Sequence, residues 1–183
     1  MFTAVLDTCV LFPMYLRDTL LRLATAGLYQ PMWSAHILTE LQGALTRNGI
    51  SAPGADRIVH QMRTYFPSAE ATGYEPLIVS MTCDQKDRHV LAAAVKVGAG
   101  ALVTENRSDF PPQSVAAFEI EVLSPDEFLL DLLDLSPHAV LSTLTAQADR
   151  YKREPKTVYG LLGALERSGT PGFADEVRRH IDQ

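Results

Sequence analysis

The chain has 183 residues, 46% hydrophobic and 21% charged, with a formal net charge of −6. That composition suits one domain of ordinary size, or one with an appendage, and excludes global disorder. The acidic balance also excludes a protein that coats nucleic acid by charge alone, although not an enzyme whose site is itself acidic.

Charge is unevenly spread. Residues 136–183 hold seven Lys/Arg and six Asp/Glu, leaving nine basic against sixteen acidic residues in 1–135. Cys9 and Cys83 have no metal-ligand or redox spacing, and without a secretory signal they read as reduced thiols in a cytoplasm. The opening MFTAVLDTCVLF is interrupted by Asp7, and no run approaches the roughly 20 apolar residues that span a bilayer. A soluble intracellular protein with no membrane partner is expected.

In chain order, TAVLD (3–7) is an apolar run closing on an acid and reads as a buried parallel strand. Leu16 to Ala26 has helical spacing and stops at Gly27. YQPMW (29–33) reads as a second strand, weakened by Pro31. Ser34 suits an N-cap for AHILTELQGALTR, which Asn48-Gly49 ends, and Pro53 opens a further helix to Phe66. AEATGY (69–74) reads as a third strand. CDQKDRHVLAAAV (83–95) starts a helix ending near Gly98, and ALVTEN (101–106) and EIEVL (119–123) are β-like. Ser124 and Pro125 cap a helix to about Leu135. Beyond Ser136 the pattern is helical only, divided by Pro155 and the stretch from Gly169 to Gly172 into about three short helices. Strands alternating with helices predict an α/β domain with a mainly parallel sheet: a catalytic-sized unit over 1–135, then an all-helical extension over 136–183.

In open α/β sheets, ligands bind beyond the carboxyl ends of the strands. Asp7 closes the first strand, Asp109 follows ALVT, and Asp87 lies in the first turn of the helix before that strand. Glu40 falls on the helical stripe of Ile37, Leu41 and Ala44, the apolar side, where a lone carboxylate is costly. A divalent cation would remove that cost, and Mg²⁺ or Mn²⁺ prefers carboxylate oxygens. Each acid also has a structural reading. Asp7 can cap the next turn, Glu40 can face solvent, Asp87 can be a second capping acid beside Asp84, and Asp109 can close an Asx-turn before FPP. Spacing alone leaves that choice open.

Taken in order, VLDT, SAHILTEL, KDRHVLAAAV and LVTENRSDF resemble the PIN domain, and within it the VapC-type toxins of bacterial toxin–antitoxin pairs, over about residues 1 to 130. The resemblance implies a three-layer α/β/α fold and a metal-dependent endoribonuclease. Asp7, Glu40 and Asp87 fall on the family's acidic positions. The last acidic position falls on Asn106 or Asp109; Asn106 is neutral, so Asp109 is the better fourth carboxylate, and Thr8 and Thr104 match small hydroxyl positions that line such sites. Also implied are Mg²⁺ or Mn²⁺, an RNA substrate such as transfer RNA, products with a 5′-phosphate and a 3′-hydroxyl, a cognate antitoxin that covers the site, and often a homodimer. The helical tail is longer than in most members and is similar to a subgroup with a C-terminal helical extension.

On this reading Asp7 and Asp87 share the metal, Glu40 assists coordination or orients water, and Asp109 completes the cage with help from Asn106. Without metal, at least one of the clustered carboxylates should titrate high. Arg17, Arg88, Arg107 and, within RYKREPK (150–156), Lys152 and Arg153 are candidate RNA contacts, each also open to being a solvated charge. His89 lies two positions after Asp87, about 200° around a helix, and reads as a surface or supporting residue. His36 shares a face with Glu40. Cys9 reads as a small buried thiol and Trp33 as core. A haloacid dehalogenase-like phosphatase needs a second Asp where Cys9 stands, and a receiver domain needs one after the third strand, where ATGYEP stands. The remaining rival is a catalytically weak PIN-like module that binds RNA or a protein partner, favoured by the neutral Asn106.

Overall fold

The computed structural model describes residues 2–182. Strands β1 (Thr3–Leu6), β2 (Gln30–Ser34), β3 (Glu70–Ala71), β4 (Ala101–Val103) and β5 (Glu121–Leu123) form one sheet in the order β3-β2-β1-β4-β5, with every pairing parallel. Between them run α1 (Thr8–Leu11), α2 (Met14–Thr25), α3 (Ala35–Arg47), α4 (Ala52–Tyr65), α5 (Arg88–Lys96) and α6 (Pro112–Val115). The chain ends with α7 (Pro125–Leu135), α8 (Pro137–Arg150), α9 (Val158–Glu166) and α10 (Pro171–Ile181). Helices cover the parallel sheet in α/β/α layers, and the region after α7 is all helical. Among the described residues no helix is long and apolar enough to cross a membrane.

Local chemistry sets the helix starts. Ser34 Oγ accepts the Ile37 N–H at 3.1 Å to begin α3, and Ser51 Oγ accepts from Gly54 at 3.2 Å ahead of α4. At α7, Ser124 and Glu127 form a reciprocal capping box. Gly49 and Gly98 end α3 and α5 with φ of 93° and 61°, a region that favours glycine.

Pro31 sits inside β2 without breaking it. Gln30 donates to Phe2 on the β1 side, whereas Trp33 donates to Ala69 on the β3 side. By alternation the Pro31 nitrogen faces β3, which pairs only with Trp33 and Ser34, so no ladder bond is lost there. The expected third strand shrinks to Glu70–Ala71, cut by Gly73 at φ 70° and by the 3₁₀ segment Glu75–Ser80. The charged segment also differs from expectation: Gln85–Asp87 is a 3₁₀ turn, and the α-helix begins only at Arg88.

The extension is docked, not tethered. α8 and α9 pack on α2, and α10 packs on α7 and α9; Leu16, Phe128, Leu144, Leu161 and Phe173 are buried in one contiguous core. A polar seam runs through this contact. Thr19 Oγ1 donates to Gln147 Oε1 at 3.0 Å, Gln147 Nε2 to the Tyr151 hydroxyl at 2.9 Å, and Tyr151 to Asp18 Oδ2 at 2.6 Å. Thr19 and Gln147 are fully buried. Gln147→Ala therefore strands the Thr19 hydroxyl in a dry interface, at a cost of about 1–3 kcal/mol. In urea titrations the unfolding free energy should fall by that much, seen as a lower midpoint at unchanged slope, with far-UV circular dichroism and Trp33 fluorescence moving in a single shared transition.

Candidate active site

β1 is the central strand, and its neighbour β4 lies on the side opposite β2. The order of strands therefore reverses at the β1–β4 seam, and their carboxyl ends open a crevice there. The Asp7 N–H donates to Val103 O at 3.1 Å, continuing the ladder one residue beyond β1. Its side chain, in a residue only 4% exposed, is held on both oxygens. Oδ1 accepts the Thr8 N–H at 2.7 Å, and Oδ2 accepts the Thr104 hydroxyl at 2.8 Å. Asp7 thus caps α1, a helix the sequence pattern did not reveal, and also faces the crevice.

Asp84 and Asp87 divide the charged segment between them. Asp84 Oδ1 accepts the Lys86 N–H at 3.1 Å, as a cap does. Asp87 makes no side-chain capping bond, its side chain is 13% exposed, and its buried Oδ2 has no hydrogen-bond partner. Burial, and then the neighbouring Asp7 charge, push the Asp87 carboxyl up to about 7; Lys86 pulls the other way and Asp109 adds to the rise. Asp109 Oδ2 lies 3.1 Å from Lys86 Nζ, and that ammonium is 3.9 Å from Asp87 Oδ2. Asp7, Asp87 and Asp109 are therefore neighbours, with a lysine charge standing beside two of them.

Glu40 takes the solvent-edge position that its helical stripe left open. Ile37 and Leu41 are buried, but the Glu40 side chain is 47% exposed at the edge of that stripe. Its Oε2 accepts the Thr8 hydroxyl at 2.9 Å, and His89 Nε2 lies 3.0 Å from Oε1. Burial raises the carboxyl's pKa, but the His89 bond and charge together with the Thr8 bond outweigh it and hold it low. His89 is therefore not a surface bystander. The 200° separation from Asp87 assumed one continuous helix, whereas a 3₁₀ turn precedes Arg88.

Cys9 packs against the same corner, its Sγ 3.4 Å from both Asp7 Oδ2 and Thr104 Oγ1. Burial, then the Asp7 charge, push its thiol up to about 11, so it is a protonated filler and not a nucleophile. Asn106 is exposed; its N–H donates to Thr104 Oγ1 at 3.1 Å, which ties the β4 exit to the same hydroxyl that holds Asp7.

The PIN domain family matches residues 3–108, and the VapC50 C-terminal domain matches residues 125–179. The chain belongs to the PIN-domain family. A curated relative, "Putative ribonuclease VapC50" of Mycobacterium tuberculosis (strain ATCC 25618 / H37Rv), is 43% identical over 112 residues. That stretch covers 61% of this chain and 66% of the relative, just under two thirds of its length. No solved structure matches the chain significantly. This PIN domain is thus of the VapC type, with a C-terminal extension.

The donor set of the PIN crevice suits a hard divalent cation: all the acids offer oxygen, and one buried Asp87 oxygen lacks a partner. The acids are neighbours and not a closed cage, since among the described residues no three His, Cys, Asp or Glu groups share one ligand sphere. The expected RNA contacts fare unequally. Arg17, only 9% exposed, donates Nη1 to the Leu11 and Phe12 carbonyls at 2.7 and 3.1 Å and so braces the end of α1. That correction removes it as a phosphate contact. Arg107 is engaged by both Glu127 oxygens, at 2.8 and 2.7 Å. Arg88 is half-buried, while Lys152 and Arg153 are exposed just beyond α8.

A pH prediction follows from Asp87. Its folded carboxyl keeps a proton to about pH 7, whereas the unfolded chain releases it near pH 4. Ionised Asp87 thus lowers stability progressively between those values and fully above them. Metal-free Asp87→Asn should melt higher than wild type at pH 8 and lose that advantage by about pH 4, as scanning calorimetry in chelator would show.

Proposed function

We propose that the chain is a metal-dependent endoribonuclease of the toxin type. The observation that carries this reading is the Asp87 carboxyl, pressed against Asp7 and Asp109 with a buried oxygen left unbonded. An ionised carboxylate crowded in that way is stabilised by a cation. Mg²⁺ or Mn²⁺, when bound, supplies an acidified water and offsets charge building on a scissile phosphate.

The chain's own residues then have distinct tasks. Asp7 and Asp87 would hold the shared ion, Asp7 already oriented by Thr104 and by the Thr8 N–H. Asp109 would complete the oxygen set, displacing Lys86 Nζ, with Asn106 assisting from the same loop. Glu40, held by Thr8 and His89, would orient the attacking water. The rival module needs Asp109 to point away from the site, and its position beside Asp87 and Lys86 argues against that. Kinship with a protein named as a ribonuclease supports RNA as the substrate class, with transfer RNA the first class to test. An antitoxin partner, a homodimer and a cytoplasmic setting are what the family resemblance implies, and we propose them with it. Of the candidate RNA contacts, exposed Lys152 and Arg153 and half-buried Arg88 are the ones we assign to gripping RNA. We assign residues 1–135 to the catalytic unit, because α7 follows β5 directly and packs on it, and residues 136–183 to the extension.

Cleavage of a structured RNA by wild type should require Mg²⁺ or Mn²⁺ and stop in chelator. Asp87→Asn should lose more than about 100-fold, beyond the loss typical of groups that only support a ligand. Asp84→Asn, a cap variant, should remain within a few-fold of wild type. No cleavage by folded wild type with either metal would refute the nuclease reading, and an inactive Asp84→Asn beside an active Asp87→Asn would refute the division of roles.

A further inference from the structure

Glu40 differs from the other acids in how it is held. Asp7 is anchored by Thr8 at the start of α1 and Thr104 just past β4, but Glu40 projects from α3 on a longer, half-exposed side chain. Left free, such a side chain samples several rotamers, and its carboxylate spends little time in any one orientation. Both oxygens are nonetheless engaged from outside α3: Oε2 by Thr8 at 2.9 Å and Oε1 by His89 Nε2 at 3.0 Å. The partner atom is a carboxylate oxygen, which only accepts, so Nε2 carries the hydrogen.

The imidazole is itself supported. Its side chain is 12% exposed, and its ring lies 5.3 Å from the His36 ring. His36 Nδ1 in turn meets the hydroxyl of buried Tyr74 at 2.6 Å. The other His89 nitrogen, Nδ1, is buried without a partner, so the ring's polar contact is directed at Glu40 alone. A histidine required only for packing would be served by an apolar ring. Here a buried, unpaired nitrogen is tolerated for one bond to an acid of the crevice.

We propose that His89 is a positioning residue for Glu40: its Nε2–H fixes one carboxylate oxygen while Thr8 fixes the other, setting the carboxylate's orientation beside Asp7. Tyr74, just before the 3₁₀ segment, and His36, on α3, back this arrangement. The assignment deepens the ribonuclease reading and rests on it for its consequence in turnover, but the bond itself exists without metal or substrate. His89 touches no reacting atom. Its loss should therefore lower kcat by roughly 10–100-fold, the range for groups that orient a ligand, and leave KM for RNA nearly unchanged.

Two measurements test this. In metal-free protein, long-range ¹H–¹⁵N spectra should show a protonated, slowly exchanging His89 Nε2 whose signal moves in Glu40→Ala. In cleavage assays, His89→Phe, which keeps the ring, should show the kcat loss and need more Mn²⁺ for half-maximal rate. His89→Gln, which places an amide N–H near the Nε2 position, should recover most of both. The proposal is overturned if the Nε2 signal is indifferent to Glu40→Ala, if His89→Phe matches wild type, or if Gln and Phe variants of wild-type melting temperature lose activity equally. Should wild type itself not cleave RNA, the ribonuclease reading fails while the spectra still decide whether His89 holds Glu40.

Discussion

The Thr104 hydroxyl donates to Asp7 Oδ2 at 2.8 Å across the seam of β1 and β4, and the rest of the site is arranged around that bond. It sits where the strand order reverses, so the only open side is the crevice beyond the strand ends. Asp7 is almost entirely buried there. A charge so placed makes every further carboxylate nearby costly, because Coulomb repulsion is weakly screened out of water. Asp87 bears that cost, its carboxyl pushed up to about 7 by burial and by Asp7. The neighbouring groups relieve it only in part: Lys86 approaches from the exposed side, and the thiol of Cys9 fills the inner corner as a neutral group. A site tuned for tight self-association of its own groups would have paired these acids with buried arginines. Arg17, which is buried, is instead spent on backbone carbonyls.

The helical extension bears on this corner as well as on the outer core. Arg107, two residues before Asp109, is clasped by Glu127 at the start of α7, and Asp126 beside it caps α10 through Gly172 and Phe173. Gly169, at φ 92°, lets Glu105 lie against the turn between α9 and α10, where any Cβ would collide with its carboxylate. The loop leaving β4 therefore rests on α7 at Arg107 and on the extension at Glu105. Packing of the tail is thus linked, through α7 and Glu105, to the loop that carries Asp109.

Much of this was readable from residue types alone, where a local rule decides the outcome. Ser34, Ser124 and Gly98 punctuate helices by chemistry that acts within four residues, and they do so in the fold. Asp7 at the end of an apolar run, and Asp84 as a cap distinct from Asp87, are equally local. Differences arise where the outcome depends on a partner outside the residue's own helix or strand. Pro31 survives inside β2 only because β3 begins too late to need its nitrogen. Helical period puts Glu40 on an apolar stripe but leaves its edge position open, and there it meets Thr8 and His89. His89 reads as a surface or supporting residue, and its Nε2 meets Glu40, on another helix, at 3.0 Å. Arg17 looked like a phosphate contact because nothing local announces the carbonyls of Leu11 and Phe12 as its partners. A glutamate and a histidine that are 49 residues apart carry no pairwise signal in one sequence.

The central claim is that Asp7 and Asp87 form one cation site at the β1–β4 crevice. Anomalous diffraction at the manganese edge, from crystals of this chain grown with Mn²⁺, tests it most directly. The account predicts a peak bound by carboxylate oxygens of Asp7 and Asp87, with Lys86 Nζ drawn away from Asp109. A crevice without a peak at saturating Mn²⁺, or a peak held by other residues, would contradict it.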